Sequence, residues 1–263
     1  ATHALSMHGT PKYGAEATHL DYVNPDAPIG GRMVQTALGS FDNLNPHIIK
    51  GKAAAGLHLT TDRLMQRVWD EPFTLYGLIA EKVIVPDDRS SITFLINPDA
   101  RFHDGHPITA EDVIFSLETL KEMGRPNARR VYQLVDDVHS DGDHHVHFEL
   151  GDGHDRETVM ILAMMPILPA HYWKGKPFDE TTLEPPLGSG PYRISAVDPG
   201  RSITYERVGD YWASDHLTRV GHHNIQTLHF DYYRDDGVAL QAFLSGEADM
   251  RLENNPVAQQ QAY

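Results

Sequence analysis

Histidine and aspartate recur at two places with spacings that invite metal or proton chemistry. At His103-Asp104-Gly105-His106, two imidazoles and a carboxylate fall within four residues. Further on, Asp136-Asp137-Val138-His139, His144-His145-Val146-His147 and His154 form a second concentration. Imidazole and carboxylate together are a donor set for a divalent transition ion, and neutral imidazole also serves as a general base. The spacing weakens the metal reading at both places. His103 and His106 lack the i, i+4 separation that aims two rings from one helix at one ion. His145 and His147 share a face of a strand, yet no third donor is fixed at matching spacing, so exposed hairpin histidines are the simpler account. No metal site and no cofactor are assigned.

Other reactive patterns are missing. The chain has no Gly-x-Ser-x-Gly elbow, P-loop, His-Glu-x-x-His or Gly-x-Gly-x-x-Gly, and it has no cysteine. Gly188-Ser189-Gly190-Pro191-Tyr192 resembles a nucleophile turn only superficially. Proline after the second glycine removes an amide that an oxyanion site would use, so a tight turn entering a strand fits better. Catalysis is not expected. Aromatic side chains beside carboxylates suggest binding instead: Trp69, Phe73 and Tyr76 surround Asp70 and Glu71, and Tyr211-Trp212 follows Gly209-Asp210. Such pairs offer apolar contact and a partner for amines, as a peptide cleft requires, although core packing explains Trp212 better and Trp69 equally well.

The elements that would carry these residues mix strands and helices. Ile92–Ile96 reads as a strand, Asp104-Gly105 as a turn, and Thr109-Ala110-Glu111-Asp112 as the capped start of a helix over 110–123. Met33–Leu38 is a strand that runs into Gly39-Ser40-Phe41-Asp42-Asn43-Leu44-Asn45-Pro46. Such a polar loop at a strand end either meets a ligand or merely caps its own turn. Leu57–Val68 has helical spacing, and Val131–Leu150 alternates as a hairpin about Asp141-Gly142-Asp143. An apolar segment at 158–168 follows, with strands at 191–197, 202–207 and 224–232 and a helix over 236–245 closed by Gly246. Without strict βα alternation, the expected class is mixed α/β.

The 263 residues suffice for one or two domains. Lys plus Arg number 22 against 37 Asp plus Glu, a formal charge of −15, which repels phosphate backbones and argues against nucleic acid as a partner. The 17 histidines would offset part of that charge at mildly acid pH. No apolar run approaches the length of a membrane span. The chain opens at Ala1-Thr2-His3-Ala4 without a methionine, as expected of a mature protein whose signal peptide has been removed.

Several stretches together resemble a known family. "LIAEKVIVPDD", "FLINPDARFHDGHPITAEDVIFSLE", "GSFDNLNP", "DEPFTLYGLIAE", "PPLGSGPYRI", "RVGDYWA" and "FDYYRDDGVALQAFLSGEADMRLEN" are similar to family 5 extracellular solute-binding proteins of ABC importers, most of all the YejA-like oligopeptide-binding branch. The resemblance implies a type II periplasmic-binding-protein fold in which two lobes close on a ligand. It implies that these residues form lobe I, with a mixed-sheet core from 1–52 and 186–263, an inserted subdomain over 53–185, and the second lobe missing. It implies a peptide or peptide-like ligand, a membrane permease as partner, and a monomer. Candidate contacts are Phe41, Asp42, Asn43 and Asn45 at the strand end, Asp70 and Glu71 beside the aromatics, and Arg251, Glu253 and Asn254 near the crossing to the second lobe. A second reading, a binder of metal or of a nickel-type metal complex, rests on the histidine richness and the family's nickel branch.

Overall fold

The computed structural model describes residues 1–254 together with Pro256 and Gln259. The 186–263 core assignment therefore extends past Asn254 into a stretch of which, Pro256 and Gln259 apart, the residues lie outside that description. Its framework is the pair β2 (Gly30–Leu38) and β11 (Ile225–Tyr233), which run parallel from Gly30 beside Ile225 to Leu38 beside Tyr233. β10 (Ser202–Arg207) and β9 (Tyr192–Asp198) extend this sheet antiparallel in the order β2-β11-β10-β9. After β11 the helix α5 (Asp236–Leu244) carries the chain across to the free edge of β2. There the amides of Asp249 and Met250 donate to the Val34 carbonyl, and Thr36 N–H donates to Met250 O. Gly246, at φ +80°, ends the turn after α5 as its position suggests. Of the apolar residues of α5, Ala239 and Ala242 are buried, while Val238 and Leu244 stay exposed.

A second four-stranded sheet, β5-β6-β8-β7, holds β5 (Ala80–Ile84), β6 (Ser91–Ile96), β8 (His145–Leu150) and β7 (Val135–Asp141). Alternate residues of β6 and β8 point inward, and Ile92, Phe94, Val146 and Phe148 are buried in one large core. The helix α1 (Ala110–Met123) packs on it through Val113, Leu117 and Leu120, the positions that recur at helical spacing. Asp112 closes the cap by accepting the Thr109 amide at 3.0 Å, and its other oxygen accepts the amide of Ala170 at the head of α4 (Ala170–Trp173). α3 (Thr158–Ala163) supplies Val159, Leu162 and Ala163 to the same core. The third sheet is small: β1 (Ala4–Ser6), β4 (Thr74–Gly77) and β3 (Met65–Arg67) in the order β1-β4-β3. Through it the N-terminal strand joins residues 65–77 rather than the β2 sheet.

Two sequence expectations are corrected. Val131 and Tyr132 belong to the helix α2 (Pro126–Tyr132), and the hairpin begins only at Val135. Proline at the first helical position suits α2, a start signal that the following alternation concealed. Leu57–Val68 is not a helix. A single 3₁₀ turn, Leu57–Leu59, is followed by extended chain and β3. The backbone groups a helix needs are taken by distant partners: Thr60 O accepts the amides of Ser189 and Gly190, Leu64 N–H donates to Met165 O, and Leu64 O accepts from Leu78 and Ala80. Tertiary pairing overrides local propensity here.

Where the chain before β3 meets the loop between β10 and β11, Asp62 is fully buried among Arg219 Nη2 at 2.9 Å, Tyr211 Oη at 2.8 and 3.0 Å, and Trp212 Nε1 at 3.0 Å. Gly188 and Gly190 permit the close backbone approach, since a Cβ on either would stand 2.0 or 2.4 Å from a carbonyl oxygen of Thr60 or Leu59. The Ser189 hydroxyl accepts the Asp62 amide at 2.9 Å, a scaffold role in a buried position.

Candidate ligand-binding rim

Open sheets with parallel strands bind ligands beyond the carboxyl ends of those strands, where loops diverge. In this chain that edge lies after Leu38 and Tyr233, where Gly39 N–H donates to Tyr233 O at 2.9 Å before the two chains part. The loop from Ser40 to Ala54 folds back on itself there. Asp42 and Asn43 amides both donate to Lys52 O, and the Asp42 carboxylate accepts Lys52 N–H at 2.6 Å. Gly51 is needed at φ +73°, because a side chain would meet Asp42 Oδ1 and Thr181 Cγ2 at 2.7 Å.

The four loop residues singled out from sequence divide into scaffold and surface. Asn43 is buried and uses its whole amide: Nδ2 donates to Asn45 O and Lys50 O, while Oδ1 accepts from Asn45 and Thr182. Asn45 is also buried, donating to Phe178 O and accepting from His47. Phe41 packs against Tyr232 with ring centroids 5.0 Å apart. These three side chains hold the loop from inside, and Asp42 alone of the four is exposed. Behind them Tyr205 donates to Ala55 O at 2.5 Å and Ala55 N–H donates to Tyr232 Oη at 2.7 Å, so two sheet tyrosines tether the loop's end.

Arg251, Glu253 and Asn254 reach the same edge by way of the pairing of Met250 with β2. The Arg251 side chain is 1% exposed, pairs with Asp236 at 2.5 Å and also contacts Glu253. It fixes the course of the chain after β2 relative to the start of α5, while Asn254 is exposed. Around this ion cluster Leu38 is 55% and Leu252 68% exposed, with Met250 also at the surface. The rim thus combines open apolar side chains, the exposed Asp42 carboxylate that also caps its own loop, and rigid backbone.

Asp70 and Glu71 are not brought to this rim. They lie between β3 and β4, where Asp70 accepts from Lys12 at 2.7 Å and Tyr13 at 2.6 Å, and Glu71 is bonded to the Tyr76 hydroxyl and the Lys12 amide. Burial raises the Tyr76 hydroxyl above the usual phenol range, and the Glu71 bond adds to this. The pair anchors the N-terminal segment. Their neighbour Trp69 is 86% exposed at the mouth of a cavity of about 360 Å³ bordered by Tyr22, His58, Arg63 and His222. Sequence reasoning missed the Asp62–Arg219 pair because no local pattern links residues so far apart.

The hairpin histidines do not gather a three-donor set among the described residues. The His139 and His147 rings lie 5.0 Å apart, but His147 bonds Thr93 through Nδ1 and Glu149 through Nε2, and His139 bonds Asp137.

A mixed sheet with a parallel pair at its edge, two further sheets with packed helices, and a rim at its carboxyl end match one lobe of a type II periplasmic-binding-protein fold. The structure superimposes on the oligopeptide-binding protein AppA from Bacillus subtilis, in complex with a nonapeptide, with a TM-score of 0.72 at 21% identity over 89% of this chain and 46% of that one. Residues 74–263 match the family model of the bacterial extracellular solute-binding proteins, family 5 middle region, and the chain belongs to this family. It is 42% identical to the peptidoglycan-binding protein YepA of Agrobacterium fabrum over 97% of its own length. It is 41% identical to the "Probable peptide-binding protein YejA" of the same organism over 95%. The chain spans less than half the length of these relatives, 43% and 42%.

Proposed function

We propose that this chain is the first lobe of an extracytoplasmic solute-binding protein that captures peptides and delivers them to an ABC importer in the membrane. The carrying observation is the rim itself. Leu38, Met250 and Leu252 offer apolar surface, Asp42 offers a carboxylate for a ligand amine, and the loop between them is locked by Asn43 and Asn45. A preorganised wall of this kind loses little entropy when a ligand docks. Peptide is favoured by the relatives described as peptide-binding and by the mixed apolar and acidic character of the rim. Ligand bridging two lobes would shift the protein toward its closed state.

In this reading the protein works in the periplasm as a monomer, carries its ligand without chemistry, and meets the permease as its partner. Family membership supports an extracytoplasmic location, and among the described residues no helix is long and apolar enough to cross a membrane. The test is calorimetry with dipeptides to nonapeptides, and with peptides released from peptidoglycan. It compares a protein of the relatives' length that carries this sequence with the 263-residue chain alone. The longer protein should bind at least one peptide class far more tightly, and Asp42→Ala should weaken it. Equal affinities for the two would refute capture between lobes.

A further inference from the structure

The His-Asp-Gly-His turn gains a partner that the sequence gives no reason to place there. His171, on α4, sits 67 positions from Asp104, and its Nε2 lies 2.7 Å from Asp104 Oδ2. His106 Nδ1 approaches the same oxygen at 3.0 Å. The two imidazoles stack with centroids 4.2 Å apart and planes 23° from parallel. One donor atom from each of the three residues falls within 4.8 Å of the others. From these contacts we infer that Asp104, His106 and His171 form a binding site for a divalent transition ion, with zinc the best match.

The donor chemistry and spacing fit. Two imidazole nitrogens and one carboxylate oxygen suit a tetrahedral zinc whose fourth position is taken by water. Bond lengths of about 2.0–2.1 Å place neighbouring tetrahedral ligands about 3.3 Å apart, so the observed separations of 2.7 and 3.0 Å need only a slight opening. The surroundings hold the donors in place. Asp104 Oδ1 accepts the His106 amide at 3.1 Å, which orients the carboxylate and leaves Oδ2 to face the rings. His171 packs edge-on against Phe102 at 5.6 Å, and α4 is pinned through Ala170 N–H to the capping Asp112. A cavity of about 440 Å³ opens beside His106 and His171, giving an ion a way in and a water its place. Glu111 and Lys174 border it, and their charges are opposite.

The site lies on the 53–185 part of the chain, apart from the rim, and does not depend on the peptide reading. Its occupation would clamp the 103–106 turn to α4. The ion would stabilise the folded state because the three donors converge only there.

The test is calorimetric titration of Zn²⁺ into metal-stripped protein made without a histidine tag, with Co²⁺ absorption as a second measure of coordination. One equivalent is expected, with a rise in thermal midpoint that a chelator reverses. His171→Ala and His106→Ala should each weaken binding by at least about tenfold. Asp104→Asn should do the same while leaving both rings present. His139→Ala combined with His147→Ala should change nothing. Unsaturable binding, or binding that survives His171→Ala and fails in the hairpin double variant, would overturn the assignment. Circular dichroism of each variant separates loss of a ligand from loss of fold. If His171→Ala does not fold, the Asp104→Asn titration decides.

Discussion

Removing the Asp62 carboxylate strips the buried Arg219 guanidinium of its counter-charge and leaves the Tyr211 hydroxyl and Trp212 indole without their acceptor. The Asp62 side chain is 1% exposed and that of Arg219 11%, so water cannot readily replace the lost partner. Breaking a buried pair from one side leaves an uncompensated charge and destabilises by about 3–5 kcal/mol. That is a large part of the ~5–15 kcal/mol by which folded domains are held. For a chain of this size each kcal/mol moves the thermal midpoint by about 2–4 °C, so Asp62→Ala should melt about 6–20 °C lower. Urea unfolding followed by circular dichroism measures the same loss directly. Asp62→Asn keeps an acceptor for Tyr211 or Trp212 and should lose less than alanine. Asp62→Leu with Arg219→Met removes both charges and should recover part of the loss, held back by the two unsatisfied aromatic donors. A change below about 1 kcal/mol in Asp62→Ala, the scale of an exposed pair, would show that this cluster does not fasten the β10–β11 loop to the chain before β3.

A close approach of backbone to ring predicts a second effect. Gly56 sits at φ +83°, and a Cβ there would stand 2.8 Å from the Phe230 and Tyr205 rings, so Gly56→Ala should cost about 2–4 kcal/mol in a urea melt. Gly246 has a similar φ with no atom within 4 Å of the same position, so Gly246→Ala should lose only about 1–2 kcal/mol; equal losses would mean that the rings yield freely. Burial, helped by the nearby Arg219, pushes the His216 imidazole down to about 4, and its Nδ1 accepts the Thr218 amide, which requires the unprotonated ring. The unfolded chain therefore binds a proton near pH 6.5 that the folded chain resists. Stability from this group is complete above that pH and is lost as pH falls toward about 4. Urea midpoints across this window should fall less steeply in His216→Asn, and parallel slopes would remove His216 as a source.

Local chemistry was legible where neighbours in sequence remain neighbours in space. The helix over 110–123 begins where Thr109 and Asp112 place it, the turn at Asp104-Gly105 forms, and the β7–β8 hairpin closes about Asp141–Asp143 because cap, turn and alternation involve residues within a few positions. The mixed α/β class and the strand that feeds the polar loop at Ser40 follow from the same short-range patterns. Asn43 and Asn45 were legible as members of a polar loop at a strand end but not as buried scaffold, since their amide partners Phe178 and Thr182 come from a remote part of the chain.

Contacts between distant segments were decided by the tertiary structure alone. The helical spacing of 57–68 gave way because Ser189, Gly190, Met165 and Leu78 claim its backbone groups. Asp62 became the centre of a buried ion pair through a residue 157 positions away, and His171 reached the Asp104 turn across 67. Propensity and spacing sample interactions a few residues long, whereas the choice of partner for a buried charge or an imidazole is made by the packing of whole sheets. The sequence alone determined the chemistry the chain carries and the elements whose signals lie within a few residues; the fold determined which of those groups meet.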